Sequence, residues 1–349
     1  MMKIFNRRRT LWLLSSAFSL LLSGLVLLSM GYYQDYRNSP PGHFIGNSAA
    51  NVKALEEKGL PFSFLVIGDT QTSERAKSLI EMAVKQGKPS FMVILGDFVK
   101  EPDLWHHRLF LKEMTTEVRP SFPVFLVAGN HDIDYASKIK RPGRSVTPEI
   151  YESLYGPRNL DFVFNNCLFV LCGVDLKKPG DYVSYLRETL SRRGEGKRNI
   201  FVFVHYPPKG LASFIEGPLP REDEFFSLIE AYHVTTCFFG DYHGYWRGQR
   251  KGVNLVVSGG GGRFKSYQPE WGRFHHILRV SVDENKISED VLTLGTRLDF
   301  ENRFEEMMFT RVFPIIQNSG WILYVLCLAF LSWGGYSVII FACDLRRKA

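Results

Sequence analysis

No Asn-x-Ser/Thr sequon occurs anywhere in the chain, so nothing in it calls for a glycosylating lumen. Cysteine is sparse, with five in 349 residues, and no spacing among them reads as a disulfide framework. Cys167 and Cys172 share one strand-like run five residues apart and should point to opposite faces. Cys237 sits within a core strand, and Cys327 and Cys343 fall in an apolar stretch near the C-terminus. Internal repeats are missing, which excludes a repeat array. Excess positive charge is also missing where a polyanion would need it. The chain carries +7 overall, but the first ten residues hold +4 and the last six +2, leaving +1 for residues 11–343. Nucleic-acid binding is therefore not expected.

What is present is apolar, in two modes. The first is two long uncharged stretches, Leu11 to Met30 and Trp321 to Cys343, each long enough to cross a hydrocarbon core of ~30 Å. The first exceeds a signal-peptide core and lacks an Ala-x-Ala site before Gly31, which favours an uncleaved anchor. The second is too long for an ordinary buried helix and is followed by Arg346, Arg347 and Lys348. Arg8-Arg9 matches a twin-arginine export signal poorly. Basic clusters at the outer end of each stretch predict cytosolic termini, with the intervening domain in the periplasm of a bacterial inner membrane. The expected organisation is a basic tail over 1–10, a span over 11–30, a polar tether over 31–60 broken by Pro40-Pro41-Gly42, and a globular domain over 61–299. An amphipathic return segment over 300–320, a span over 321–343 and a basic tail over 344–349 complete it. The return segment reads either as lying on a membrane or as an ordinary packed helix.

The second mode is a series of short runs rich in Val, Ile and Phe, each closed by a polar motif. They are Phe64-Leu-Val-Ile-Gly-Asp69-Thr-Gln71, Met92-Val-Ile-Leu-Gly-Asp97, Val124-Phe-Leu-Val-Ala-Gly-Asn130-His131-Asp132, Phe201-Val-Phe-Val-His205 and Cys237-Phe-Phe-Gly-Asp241-Tyr-His243. Such runs read as buried strands, and the intervening periodic segments near 72–86, 103–118, 183–192 and 222–231 as helices. Strands alternating with helices predict an α/β domain with a largely parallel sheet. Residues 253–258 with 274–294 read as a second sheet. Ligands in α/β sheets sit beyond the carboxyl ends of strands, so the five motifs place carboxylates, imidazoles and amides on one rim. That set suits a pair of divalent cations with one bridging carboxylate, the arrangement that clamps a phosphoryl group and acidifies water.

The series resembles the calcineurin-like metallophosphoesterases, over about residues 62–262. Gly129-Asn130-His131-Asp132 is the most specific element, supported by His205-Tyr206-Pro207-Pro208 and Gly240-Asp241-Tyr242-His243-Gly244. The resemblance implies a two-sheet αββα sandwich, to which the two long apolar stretches add one transmembrane helix at each end. It implies one metal held by Asp69, Gln71, Asp97 and His243, and another held by Asp97, Asn130, His205 and Asp241. His131 would then be a catalytic residue at the phosphate, with Asp132 orienting its ring. Gln71 and Asp241 stand where the family pattern has histidine. Both exchanges replace nitrogen by oxygen, which favours Mn²⁺ or Mg²⁺ as the two divalent ions, with iron or zinc also admissible.

The expected function is a membrane-anchored, metal-dependent phosphoric ester hydrolase acting through metal-activated water. Its expected substrate is a phosphomonoester or phosphodiester of a membrane lipid or lipid-linked headgroup. The competing reading is a non-catalytic metal- or phosphate-binding module on an inherited site. Three other features have bland readings: the Ser258 to Arg263 glycine run as a tight turn, Arg247, Arg250 and Lys251 as a solvated basic turn, and His106, His107, His275 and His276 as structural or solvated residues. His107 is an outside candidate for the rim.

Overall fold

The computed structural model describes residues 2–38, 45–46, 49–55, 59–140, 143–211, 219–264, 270–294 and 300–346. The Pro40-Pro41-Gly42 break, the close of the predicted domain at 295–299, and Arg347 and Lys348 lie outside them. The chain divides into two compact units, residues 1–40 with 304–349, and residues 41–303.

The larger unit is an α/β sandwich of four layers. One sheet has the order β11-β10-β1-β2-β3, built from β1 (Phe62–Ile67), β2 (Phe91–Ile94), β3 (Val124–Leu126), β10 (His276–Val282) and β11 (Ile287–Thr293). The other has the order β4-β5-β6-β7-β9-β8, from β4 (Leu160–Phe164), β5 (Cys167–Cys172), β6 (Asn199–Val204), β7 (Thr236–Phe239), β8 (Tyr245–Arg250) and β9 (Val253–Ser258). Strands β1, β2 and β3 are mutually parallel, as are β5, β6, β7 and β9. This corrects the expected grouping of 253–258 with 274–294. Strand β9 extends the sheet of β6 and β7, while β10 and β11 complete the sheet of β1.

Alternation along each strand builds the layers, because successive side chains point to opposite faces. Phe64, Val66, Phe91, Val93 and Leu95 turn inward to meet Phe169, Phe201, Phe203 and Phe238 of the facing sheet. Leu65, Ile67, Met92 and Ile94 turn outward onto α3 (Glu74–Lys85), packing against Ala76, Leu79, Ile80 and Ala83. On the far side, Val202, Val204, Cys237 and Phe239 pack on α6 (Gly180–Arg193) and α7 (Glu222–Ala231). The inter-sheet layer is a phenylalanine stack; Phe64 lies parallel to Phe91 at 5.1 Å and edge-on to Phe169 at 5.4 Å. Aromatic pairs of this kind add about 0.5–1.5 kcal/mol each beyond their burial. Cys167 faces the inter-sheet core and Cys172 the helix layer, as their spacing requires, and all five cysteines are free.

Two local readings change. Of Arg247, Arg250 and Lys251, read as a solvated basic turn, the two arginines lie on the edge strand β8, where charged side chains guard against edge pairing, and Lys251 lies in the turn that follows. Part of the predicted tether is ordered on the domain. Ile45 bridges Val124, the Asn51 amide donates to the Gly46 carbonyl at 2.8 Å from α2 (Ala49–Lys53), and Asn165 exchanges hydrogen bonds with the Gly59 backbone. Val52, Leu55 and Leu60 pack on the inter-sheet core, so hydrophobic burial turns this stretch from a linker into a strap.

In the smaller unit, α1 (Met2–Asn38) continues past residue 30, so the helix extends into the stretch read as a tether. Residues 300–320 are helical rather than a separate segment: α8 (Phe300–Met307) passes through a π-helical turn at Met308–Val312 into α9 (Phe313–Arg346). A non-helical Ser319 (φ −144°, ψ 31°) marks the break before the apolar stretch. Tyr32 and Tyr33 of α1 pack edge-on against Phe313, and the Tyr32 hydroxyl donates to Glu305 Oε1 at 2.6 Å. Part of this segment's apolar surface, Met308, Phe309 and Phe313, is buried, with both Phe rings against Tyr32, while Phe304, Met307 and Ile315 remain exposed. Two helical stretches, 10–34 and 303–343, are long and apolar enough to cross a membrane.

Candidate metal centre

The loops that leave β1, β2, β3, β6 and β7 meet at one end of the sandwich. The backbones after β1 and β2 are zipped together: Asp69 N donates to the Gly96 carbonyl at 3.0 Å, and Gln71 N to the Asp97 carbonyl at 3.0 Å. Five of the predicted residues adopt left-handed backbone there, Asp69 (φ 54°), Gln71 (φ 47°), Asp97 (φ 49°), Asp241 (φ 59°) and His243 (φ 56°). Each such residue costs on the order of 1 kcal/mol and persists where surrounding bonds over-determine it. Sharp turning at the strand end lets a carboxylate point back over the sheet edge.

Two groups of side chains result. Asp69, Asp97 and His243 form one; Asp97, His205 and Asp241 form the other, and in each group the candidate ligand atoms lie within 4.8 Å of one another. Asp97 belongs to both, as a bridging carboxylate must. His243 Nε2 is 3.5 Å from Asp69 Oδ1, and His205 Nε2 is 3.4 Å from Asp97 Oδ1 and 3.8 Å from Asp241 Oδ1. Asn130 Oδ1 lies 3.2 Å from His205 Nε2 and so joins the second group. Gln71 stands on the turn beside Asp97 through its backbone.

The second ring nitrogen of each ligand histidine is already committed. His205 Nδ1 donates to the Leu95 carbonyl at 2.7 Å, and His243 Nδ1 donates to the Arg263 carbonyl. A carbonyl only accepts, so each imidazole carries a proton on Nδ1, which leaves Nε2, turned toward the carboxylates, as the atom that would face an ion. Asp97 Oδ2 is buried with no hydrogen-bond donor among the described residues. A buried carboxylate oxygen in that state is costly unless a cation takes the place of the missing donor. The residues present thus fit a pair of divalent ions. Burial opposes charge on His205, but Asp97 and Asp241, with the Leu95 carbonyl, outweigh it and shift its pKa upward.

Asp132 is not where its neighbour in sequence suggested. Its buried carboxylate accepts from Asp97 N and Gly129 N, each at 2.8 Å, and from Val99 N at 3.2 Å. Burial, followed by the Asp97 carboxylate, pushes its pKa up to about 8. The expected contact with the His131 ring is replaced by the Lys100 carbonyl, which accepts from His131 Nδ1 at 2.6 Å. His131 Nε2 then faces Asp97 Oδ2 at 3.9 Å, and the side chain is 40% exposed. Asp132 shapes the turn, while His131 stands open to a substrate. Gly129 is required by close approach, since a Cβ there would lie 2.3 Å from Asp97 Oδ1. Gly129→Ala is expected to displace Asp97 and lower hydrolysis by about 100-fold, measured as kcat/KM; an unchanged rate would refute that crowding.

His107 was the outside candidate for the rim, and it supports the rim from below. Fully buried on α4 (Leu104–Lys112), its Nε2 donates to the Asp132 carbonyl at 3.0 Å, so Nδ1 accepts from the Tyr155 hydroxyl at 2.9 Å. His276 is likewise buried, between Ser258 Oγ and the Phe274 carbonyl. Burial lowers His107 to about 3 and His276 to about 4. The unfolded chain takes up a proton at each below about 6.5 while the folded chain does not. Their contribution is complete above about pH 6.5 and is lost as pH falls toward 4 and 3. His107→Gln should therefore flatten the stability-versus-pH slope between pH 4 and 6 by about 1.4 kcal/mol per pH unit, read from urea unfolding. An unchanged slope would contradict a neutral His107.

The glycine run after β9 is explained by packing. A Cβ at Gly262 would meet the Asp69 carbonyl at 2.2 Å, and one at Gly259 would meet Asp69 Oδ2 at 2.5 Å. The run lies against the first ligand loop, the tight-turn reading.

A family model described as calcineurin-like phosphoesterase matches residues 62–245, a stretch that contains every candidate ligand from Asp69 to His243. No curated protein matches the sequence significantly. Among solved structures, a purple acid phosphatase from yellow lupin (Lupinus luteus) is similar at 16% identity and a TM-score of 0.50, over 69% of this chain and 53% of that one. This chain thus spans about half of the lupin enzyme's length. GAP50, the anchor in the inner membrane complex of Plasmodium, is similar at 12% identity, over 71% of this chain and 95% of that one, with a TM-score of 0.49. A dimetal phosphatase from Danio rerio is similar at 15% identity, over 66% of this chain and 96% of that one, with a TM-score of 0.46. Identities this low speak only to fold. Because the family model runs through all five motifs and covers more than half of the sequence, the chain belongs to the calcineurin-like phosphoesterase family and is a metal-dependent phosphoester hydrolase.

Proposed function

We propose that this chain is a membrane-anchored phosphoesterase that releases phosphate from, or cleaves a phosphodiester in, a lipid or lipid-linked headgroup. The observation that carries the reading is the joint presence of two Asp/His groups sharing Asp97 and of two apolar helices bracketing the domain in sequence. Both helices are read as bilayer spans, with the basic ends in the cytosol and the hydrolase domain on the periplasmic side of a bacterial inner membrane. A substrate held in the same bilayer makes two anchors functionally sensible.

Two bound divalent ions, with Mn²⁺ or Mg²⁺ favoured by the oxygen-rich donors, supply Lewis acidity and an acidified water. Asp69, Asp97, His205, Asp241 and His243 would hold the ions, with Asn130 and, by its place in the motif, Gln71 as amide ligands. His131, fixed through Nδ1 by the Lys100 carbonyl, presents Nε2 on the open side, where its protonated form hands a proton to the departing oxygen. Detergent-solubilised protein with Mn²⁺ is expected to hydrolyse lipid headgroup phosphoesters faster than soluble aryl phosphates. Turnover confined to soluble phosphoesters would remove the lipid assignment.

A further inference from the structure

We infer that the two halves of the metal centre are chemically matched, so that both take the same hard divalent ion with similar intrinsic affinity. Asp241, at one of the two positions that depart from the family pattern, is the residue that matches them. This rests on the metal-dependent reading above. Each group holds the shared Asp97, one private carboxylate and one imidazole: Asp69 with His243, and Asp241 with His205. The likeness extends outward. In each half the histidine donates Nδ1 to a backbone carbonyl, Leu95 for His205 and Arg263 for His243, and points Nε2 at a carboxylate. Asn130 Oδ1 stands beside His205 in the second half, and the Gln71 backbone N–H donates to the carbonyl of the shared Asp97.

Metal preference follows donor type, with oxygen favouring Mn²⁺ and Mg²⁺ and nitrogen favouring Zn²⁺. Two sites with the same donors cannot sort two different metals between them. An imidazole at position 241 would give the second group two nitrogens against one in the first, and a basis for sorting. The halves differ in access instead: Asp69 is fully buried, whereas the Asp241 side chain is 19% exposed. Access governs exchange rate more directly than metal preference.

The test uses the full chain in detergent with Mn²⁺ and Zn²⁺ as probes. Asp69→Asn removes the private carboxylate of the first half and Asp241→Asn that of the second, leaving one site in each variant and no repulsion from a second ion. The surviving sites are expected to bind Mn²⁺ with affinities within about tenfold of each other by calorimetry, and with the same order of Mn²⁺ over Zn²⁺. In the Asp69→Asn background, Asp241→His is expected to move the preference of the surviving site toward Zn²⁺ by about tenfold or more. Affinities more than about tenfold apart, or opposite metal orders, would overturn the matching. Should a variant fail to fold, native mass spectrometry of the wild-type chain loaded from mixed Mn²⁺ and Zn²⁺ decides. Matched halves give the mixed pair at the statistical share set by one preference, and unmatched halves accumulate it above that share. A wild-type chain that binds two ions in unmatched sites sinks this inference alone, whereas one that binds none sinks the metal-dependent reading beneath it.

Discussion

Asp97→Asn is expected to lower phosphoester hydrolysis by about 10³-fold or more and to reduce bound metal from two ions to one or none. Asp97 alone belongs to both Asp/His groups, so the exchange weakens both sites together. Loss of a bridging charge removes several kcal/mol of stabilisation, and each ~1.4 kcal/mol is tenfold in rate. The fold should survive. Oδ1 accepts from His131 N at 2.9 Å, and the asparagine carbonyl preserves that bond. The bonds that Asp132 makes to the backbone of Asp97, Val99 and Gly129 do not involve the exchanged group. Circular dichroism and thermal melting should thus match wild type while hydrolysis disappears. Hydrolysis at the wild-type rate would overturn the bridging role.

The largest stability effect is expected outside the ligand set, at Lys77. Its ammonium is buried between α3 and the π-helical turn Glu113–Val118, 2.9 Å from Glu74, 2.8 Å from Glu117 and 3.7 Å from Glu113. Burial opposes its charge, but the three carboxylates outweigh that and hold the lysine protonated. Lys77→Met takes away the ammonium while the Glu113 carboxylate stays buried, a loss of about 3–5 kcal/mol. For a domain of this size that is roughly a 10 °C fall in melting temperature. Lys77→Met with Glu113→Leu should recover most of it, since replacing a buried pair by apolar groups is close to neutral. A Lys77→Met melting point within a degree or two of wild type would show that the network contributes nothing.

The strands that carry the site were legible because their chemistry is redundant. Phe64 to Ile67, Met92 to Leu95 and Phe201 to Val204 are apolar on both faces, as strands buried between a sheet and a helix layer must be, and each ends where a polar residue turns over the edge. Strand β8 was not legible: Tyr245-Trp-Arg-Gly-Gln-Arg250 is an edge strand with little to bury, so no apolar run announced it. Sheet membership failed for β9 for a different reason, because Val253 to Ser258 looks alike in either sheet and only pairing with β7 decides. The ligand set was legible by residue type and order. The role of Asp132 was not, since adjacency to His131 carries no information on which way a side chain turns. The left-handed backbone at Asp69, Asp97 and Asp241 has no signature beyond an Asp following Gly. The His107–Tyr155 support joins two helices distant in sequence, which only tertiary packing reveals.

The claim beneath all of this is that Asp97 joins two metal sites into one hydrolytic centre. Metal content per chain, measured on detergent-solubilised wild type and Asp97→Asn after Mn²⁺ loading and desalting, tests it most directly when paired with hydrolysis of a phosphoester panel. The expected result is two ions and turnover in the wild type, and at most one ion with turnover lost in the variant. Two ions retained by Asp97→Asn, or full turnover by a wild-type chain that holds none, would contradict it.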